Sequence, residues 1–347
     1  MPPPSESRPE KGNSPSSEVQ PELIFNTYWG FAGTQALSVA VDLDLFTAIH
    51  ENHTTVEKLS RHLNLPLRSL RILLDALVAL GFLNKSKISY KLTPESKTYL
   101  VKSQPRYLGS VLLRAGKNLE SWQHLKEVVR SGKASLPMAD ESFRNQFFME
   151  LVRDLFPTSY ASSVIVAKKL GVGKSLKGLK IFDGACGSGA WSIAFAIADK
   201  TSQVTACDFP EVLDVTRQYI KRFRLDNQYQ YKPGDLQTMD LGRAQYDVIL
   251  LGNFCHGAGE NESRKLFKKA YDALRPGGRL LIGEYVPNDL KTGDKVSLLF
   301  GLEMLMATPH GDVFTAKEYK RWLSLSGFKK VGSFKALYPT TVMMGMK

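Results

Sequence analysis

The sequence predicts an α/β chain in which a doubly wound, Rossmann-like sheet follows an all-α winged-helix module, and three observations predict it. The first is the stretch 180–193, where a short apolar run ends in Asp183, then come Gly184, Gly187 and Gly189, and an apolar helical pattern begins at Trp191. That order reads strand, tight turn, helix, with the turn at the strand's carboxyl end, where doubly wound sheets place nucleotide-like ligands. The second is that acids close the next two strand-like runs, Asp208 after 203–207 and Asp235 after 229–234. The third lies near the N-terminus, where Leu70, Leu73, Leu74, Leu77 and Leu80 repeat at helical spacing ahead of two short strand-like runs.

At 347 residues the chain implies two domains more readily than one. With 43% hydrophobic and 23% charged residues it has enough apolar material for a core. A net charge of +12 admits nucleic acid, an acidic membrane surface or an anionic substrate as partner. Lys and Arg are scattered, however, and no run reaches five or six like charges, so the charge reads as a solvated surface. Cys186, Cys207 and Cys255 lie far apart without C-x-x-C spacing, which suggests neither a disulfide framework nor a zinc site and fits a reducing cytoplasm. Residues 1–20, rich in Pro, Ser and charge, read as a disordered tail. They lack the apolar core of a signal peptide, and no later run is long enough to span a bilayer, so no membrane partner is expected.

Residues 21–104 read as the winged-helix domain. Ala36, Val39, Ala40 and Leu43 fall at helical spacing, and Thr54 with Glu57 has the form of a capping box. The leucine helix over 67–80 ends at Gly81, two short strands over 82–84 and 89–92 make the wing, and Thr93-Pro94 opens another helix. A winged helix is also the frame of DNA-binding regulators, but Arg68, Arg71 and Asp75 make a poor phosphate footprint, and the apolar face suits subunit association instead. Residues 105–178 read as a helical connector carrying Trp122, Phe143, Phe147, Phe148, Phe156 and Tyr160. Aromatics at helical spacing are commonly core; here the segment would lie as a lid over the carboxyl ends of the strands, where an aromatic substrate would sit.

Residues 179–347 hold the sheet. Strands are expected over 179–183, 204–208, 229–235, 246–253 and 279–284, with an antiparallel edge pair at about 331–337 and 341–346, and helices over 263–274 and 315–326. The loop D-x-x-x-G-x-G from Asp183 departs from the G-x-G-x-x-G of a dinucleotide binder. An acid at the strand end suits an ammonium better than a diphosphate, Asp208 is placed to accept two ribose hydroxyls, and Gly234-Asp235-Leu236 to cradle an adenine. Together these fit an adenosine with a cationic amino-acid tail, S-adenosylmethionine. His256, just after the fourth strand, is the sharpest candidate for a general base, since an unperturbed imidazole takes a proton near neutral pH. Glu284, at the end of the fifth, either orients His256 or caps a turn.

From about residue 25 to 345 the chain resembles the class I small-molecule O-methyltransferases, which include plant caffeate and flavonoid enzymes, acetylserotonin methyltransferase and many bacterial secondary-metabolism enzymes. The resemblance rests on 36–46, 73–83 and 90–94, then on 183–189, Asp208-Phe209-Pro210 and Gly234-Asp235-Leu236, and more weakly on 276–282. It implies a seven-stranded methyltransferase sheet, a homodimer through the N-terminal domain and an aromatic hydroxyl acceptor, with no nucleic acid and no metal. It also implies S-adenosylmethionine bound by Asp183, Gly184, Gly187, Gly189, Asp208, Phe209, Asp235, Leu236 and Asn253, a base at His256 and a partner carboxylate at Glu284. The acceptor pocket would involve Trp122, Phe147, Phe148, Phe156 and Met304. Three positions depart from the family pattern: Ala185 replaces the first loop glycine, Gly257-Ala258 replaces Asp-Trp after the histidine, and Val313 beside Asp312 stands where many members have a second carboxylate. These departures keep open carbon methylation, an iron held by His256 and His310, or a relative that binds the cofactor without methylating.

Overall fold

The computed structural model describes residues 19–138 and 140–347; the expected tail lies outside the described residues as far as residue 18. The N-terminal part is a set of short helices, Glu22–Tyr28, Gly30–Asp42, Leu45–His50, Val56–Leu63 and Leu67–Ala79, followed by the hairpin β1 (Leu83–Ser86) and β2 (Ser89–Leu92). Leu70, Leu74 and Leu77 turn one stripe of the last helix into a core with Ala40, Leu45, Phe46, Leu59, Leu83 and Tyr90. Gly81, at φ 82°, ends that helix, and Thr93 caps the Pro94–Tyr99 helix through Ser96 N–H, both as expected. The other expected cap moves by one residue. Thr55, not Thr54, accepts from Lys58 N–H at 3.4 Å, because the Thr54 carbonyl accepts from Tyr90 N–H at 2.7 Å and is held against the hairpin. Arg71 faces outward, as expected, and pairs at 3.0 Å with Asp75, which Lys85 and Tyr90 share.

The sheet has seven strands: β3 (Lys180–Gly184), β4 (Gln203–Asp208), β5 (Tyr229–Pro233), β6 (Tyr246–Gly252), β7 (Leu274–Tyr285), β8 (Gly332–Lys335) and β9 (Thr340–Met346). Their spatial order is β5-β4-β3-β6-β7-β9-β8. Pairing is parallel from β5 through β7, and β9 is antiparallel to both β7 and β8. The chain therefore starts at the centre, steps outward to β5 and jumps back to β6, which leaves a crevice at the carboxyl ends of β3 and β6. Apolar runs such as 248–251 are buried on both faces, as parallel strands covered by helices require. Alternation sends Phe182 and Ile249 to a core with Phe267, Tyr319 and Trp322, and Ile181 and Val248 to a core with Trp191, Phe195 and Val166.

One expectation at this end is corrected. The helix before β7 stops at Ala273, and β7 begins at Leu274 and runs through the Pro-Gly-Gly turn, with a register shift opposite residues 246–248 absorbing the irregularity. The last two strands pair antiparallel at one edge of the sheet, as expected, with β8 outermost. The helix expected over 315–326 is present as Ala316–Leu325, closed by a full capping box between Thr315 and Glu318.

Candidate active site

The loop after β3 is where the sequence forces its geometry. Gly187 and Gly189 have φ of 57° and 74°, the left-handed region that glycine enters without strain, and Ala185, at 51°, keeps the glycine-type conformation although it carries a Cβ. Gly187 also has Val152, from the Glu141–Asp154 helix, close above it: a Cβ there would lie 3.0 Å from Val152 Cγ1. Asp183 is 1% exposed, and its carboxylate accepts from Ser192 N–H at 3.3 Å, so it ties the strand end to the first turn of the Ala190–Ala198 helix. Burial pushes it up to about 7.

Asp208 closes β4 beside the same loop. Its Oδ2 accepts from Gly187 N–H and its Oδ1 from Phe209 N–H, both at 2.8 Å, and burial raises it to about 6. A carboxylate offers about four acceptor positions, so two remain for hydroxyl donors. The Asp208 carbonyl in turn accepts from Gly234 N–H at 3.0 Å, which brings the 234–236 turn next to it. Asp235 Oδ1 accepts from Gln237 N–H at 2.8 Å, while Leu236 is buried over Gly184 as part of the core. The arrangement fits an adenosyl group: a glycine loop with close backbone approach, a partly satisfied acid beside it, and a second turn bonded to that acid.

Asn253 and His256 follow β6. Asn253, at φ 56°, donates from Nδ2 to Ser159 Oγ at 3.2 Å and joins the Phe156–Leu170 helix to the strand end. His256 sits in a single turn of the Cys255–Ala273 helix, which breaks at Gly259 (φ 79°, ψ 177°). A Cβ at residue 259 would lie 2.6 Å from the His310 carbonyl, so the break is held by the 310–312 loop, whose Asp312 N–H donates to the His256 carbonyl at 3.0 Å. Glu284, at the end of β7 and 1% exposed, spans both parts of this turn. Its Oε1 accepts from Cys255 N–H at 2.7 Å and His256 N–H at 3.4 Å, and its Oε2 lies 2.5 Å from His256 Nδ1. Glu284 thus contacts both backbone N–H groups of the turn and the imidazole Nδ1 at once. A carboxylate on Nδ1 fixes the proton there and leaves Nε2 as the acceptor.

The imidazole packs edge-on against Phe300 at 4.8 Å, and Tyr285 stacks on Phe300 at 4.3 Å. Of the aromatics expected around an acceptor, Phe147 lies under the Arg114 guanidinium at 5.6 Å and touches Phe148 edge-on at 5.6 Å. Phe156 goes elsewhere, stacking with Tyr160, Tyr219 and Phe223 against the core. Met304 is buried on the Lys295–Ala307 helix, and Trp122 is half-buried at the end of the Ala115–Trp122 helix, which packs against it. Sequence reasoning missed Phe300 and Glu303 on that helix. The available signal was Glu303 itself, a lone acid within the apolar run 296–307. His310 is exposed; among the described residues the three metal-type ligands that come together are Glu51, His53 and His62, in the N-terminal helical part.

The three departures have structural counterparts. Gly257 has open space where a Cβ would be, Val313 is buried with its Cγ2 against Gly301, and Asp312 turns away to Lys291 at 3.3 Å.

Comparisons with known proteins agree along the chain. The model of an O-methyltransferase domain matches residues 122–329, and that of an O-methyltransferase dimerisation domain matches residues 25–102. The tetracenomycin polyketide synthesis 8-O-methyl transferase TcmO of Streptomyces glaucescens is 29% identical over 96% of this chain and 99% of its own. The 3-hydroxy-5-methyl-1-naphthoate 3-O-methyltransferase of Streptomyces sahachiroi is 27% identical over 96% and 97%. Human N-acetylserotonin methyltransferase, solved in complex with S-adenosylmethionine, superposes with a TM-score of 0.76 at 23% identity, covering 96% of this chain and 99% of that one.

Proposed function

The chain belongs to the O-methyltransferase family, and from that premise we propose that it moves the methyl group of S-adenosylmethionine to a hydroxyl of a small aromatic molecule, with His256 as general base. The observation that carries the chemistry is the His256–Glu284 contact of 2.5 Å at the mouth of β6 and β7, on the same edge of the sheet as Asp208 and the glycine loop. S-Adenosylmethionine, when bound, supplies a methyl group on a cationic sulfur. The protein's own work is then alignment and proton removal. Asp208 and the backbone around Gly187 and Gly234 hold the adenosyl end, and His256 Nε2 receives the acceptor's proton. Glu284 keeps Nδ1 protonated and faces the positive charge as the imidazolium forms. Alignment of this kind contributes several kcal/mol, up to about 7–11 in ideal cases, and a placed base roughly 10²–10⁴ in rate. The aromatic wall of Phe300 and Tyr285 beside His256 supports an arene as acceptor, as do the relatives named for polyketide and naphthoate substrates.

Leu23, Ile24, Phe25, Tyr28, Trp29 and Phe31 are all more than half exposed on the first two helices, and the Glu22–Tyr28 helix buries no residue within the chain. Their match to the dimerisation model supports a homodimer closed through this face. Three free, buried cysteines and no described helix long and apolar enough to cross a membrane support a cytoplasmic enzyme. Incubation with methyl-labelled S-adenosylmethionine and a panel of hydroxyarenes, read by mass spectrometry, tests the activity. We expect label in an aryl methoxy group; label on ring carbon, or none with any acceptor, contradicts the reading.

A further inference from the structure

Beside His256 lies a carboxylate with no hydrogen-bond or ion-pair partner among the described residues. Glu303 follows Phe300 by one turn on the Lys295–Ala307 helix, so the two share a face, and Phe300 is the ring packed at 4.8 Å against His256. The residue is only partly exposed, and it makes no hydrogen bond or ion pair among the described residues. Arg114, which precedes the Ala115–Trp122 helix packed on this one, is already committed to Asp154 at 3.0 Å and to the face of Phe147. Burial raises the Glu303 carboxyl above the ordinary range, against the opposing influence of the nearby Arg114 and His256. The neighbouring loop offers nothing comparable, because Val313 packs on Gly301 and Asp312 faces Lys291.

A half-buried acid without a partner costs free energy unless a ligand supplies the donor. We propose that Glu303 is an acceptor-selecting residue: it receives a hydrogen bond from a second hydroxyl on the arene whose first hydroxyl faces His256. The inference rests on the O-methyltransferase reading above and narrows its substrate class to polyhydroxylated arenes. A monohydroxy compound of the same shape fills the aromatic wall but covers Glu303 without giving it a donor, and that loss falls mainly on binding.

The test is a ratio within each protein. Dihydroxynaphthalenes are compared with their monomethyl ethers, each ether keeping one free hydroxyl, for the wild type, Glu303→Gln and Glu303→Leu. The wild type is expected to favour the diols in kcat/KM by about tenfold to a hundredfold, the range of a hydrogen bond to a charged group, with the difference in KM. Glu303→Gln, which still presents a carbonyl, keeps part of the preference, and Glu303→Leu brings the ratio close to one. An unchanged ratio in Glu303→Leu, or a wild type that treats diols and ethers alike, overturns the proposal while leaving the methyltransferase reading intact. If Glu303→Leu does not fold, the Gln variant decides, since an undiminished ratio there has the same force. A wild type that binds S-adenosylhomocysteine yet methylates none of the arenes contradicts the reading itself and the inference with it.

Discussion

At the scale of single residues, the site is built on acids whose surroundings differ sharply. Glu284 is spent on three donors, Asp208 is half spent on two backbone N–H groups, and Asp183 is buried against one. Asp183 carries a pH signature. Burial lifts it to about 7 in the folded chain, whereas in the unfolded chain it titrates near 3.9. Between those values the folded state holds a proton that the unfolded state has lost, so the stabilising contribution is full below about pH 4 and disappears as pH rises through 7. Asp183→Asn removes this titration. Denaturant unfolding at a series of pH values is expected to show the variant gaining on the wild type from pH 4 to pH 8, by up to about 4 kcal/mol; a constant difference contradicts the assignment. The sequence made Asp183 conspicuous as a ligand for an ammonium, but its burial and its bond to Ser192 could not be read there, because both depend on how the following helix returns over the strand.

At the scale of elements, the crevice depends on a large residue filling the space left by two small ones. Gly252 and Gly283 are register partners on β6 and β7, and a Cβ at either would collide with the Trp191 indole, which reaches over them from the Ala190–Ala198 helix. Trp191 Nε1 is buried without a hydrogen-bond partner, so close packing rather than polarity holds the ring. Gly252→Ala should cost about 1–3 kcal/mol through overpacking, and less in a Trp191→Phe background, which removes the indole nitrogen nearest the new methyl. Urea unfolding of the two single variants and the double variant measures that coupling; strict additivity contradicts it. This pairing was illegible in the sequence because the three residues are far apart in the chain and meet only through strand register. What was legible followed from local chemistry: the Asp183 loop, the Thr93-Pro94 cap, and the apolar parallel strands. Legibility failed where tertiary contacts overruled local signals, as at Thr54, drawn to the hairpin, and at the Pro-Gly-Gly turn, absorbed into β7.

At the scale of the whole molecule, a catalytic sheet follows a helical part whose outer face is left apolar. Phe25, Tyr28, Trp29 and Phe31 leave a cluster of exposed aromatic rings of the kind that marks a protein–protein contact, and the +12 charge, being scattered, does not prevent two copies from meeting. Light scattering after size exclusion should give twice the mass of one chain, and Phe25→Glu with Trp29→Glu should give the mass of one; a wild-type monomer at micromolar concentration contradicts the dimer.

The account as a whole rests on His256 taking a proton from a hydroxyl held beside a bound methyl donor. The most direct measurement is single-turnover methylation of a hydroxyarene by the wild type and by His256→Ala, with S-adenosylhomocysteine affinity determined on the same samples by calorimetry. The account predicts that affinity is retained within a few-fold while the rate falls by about 10²–10⁴. A variant that binds equally well and methylates at the wild-type rate would remove His256 from the chemistry.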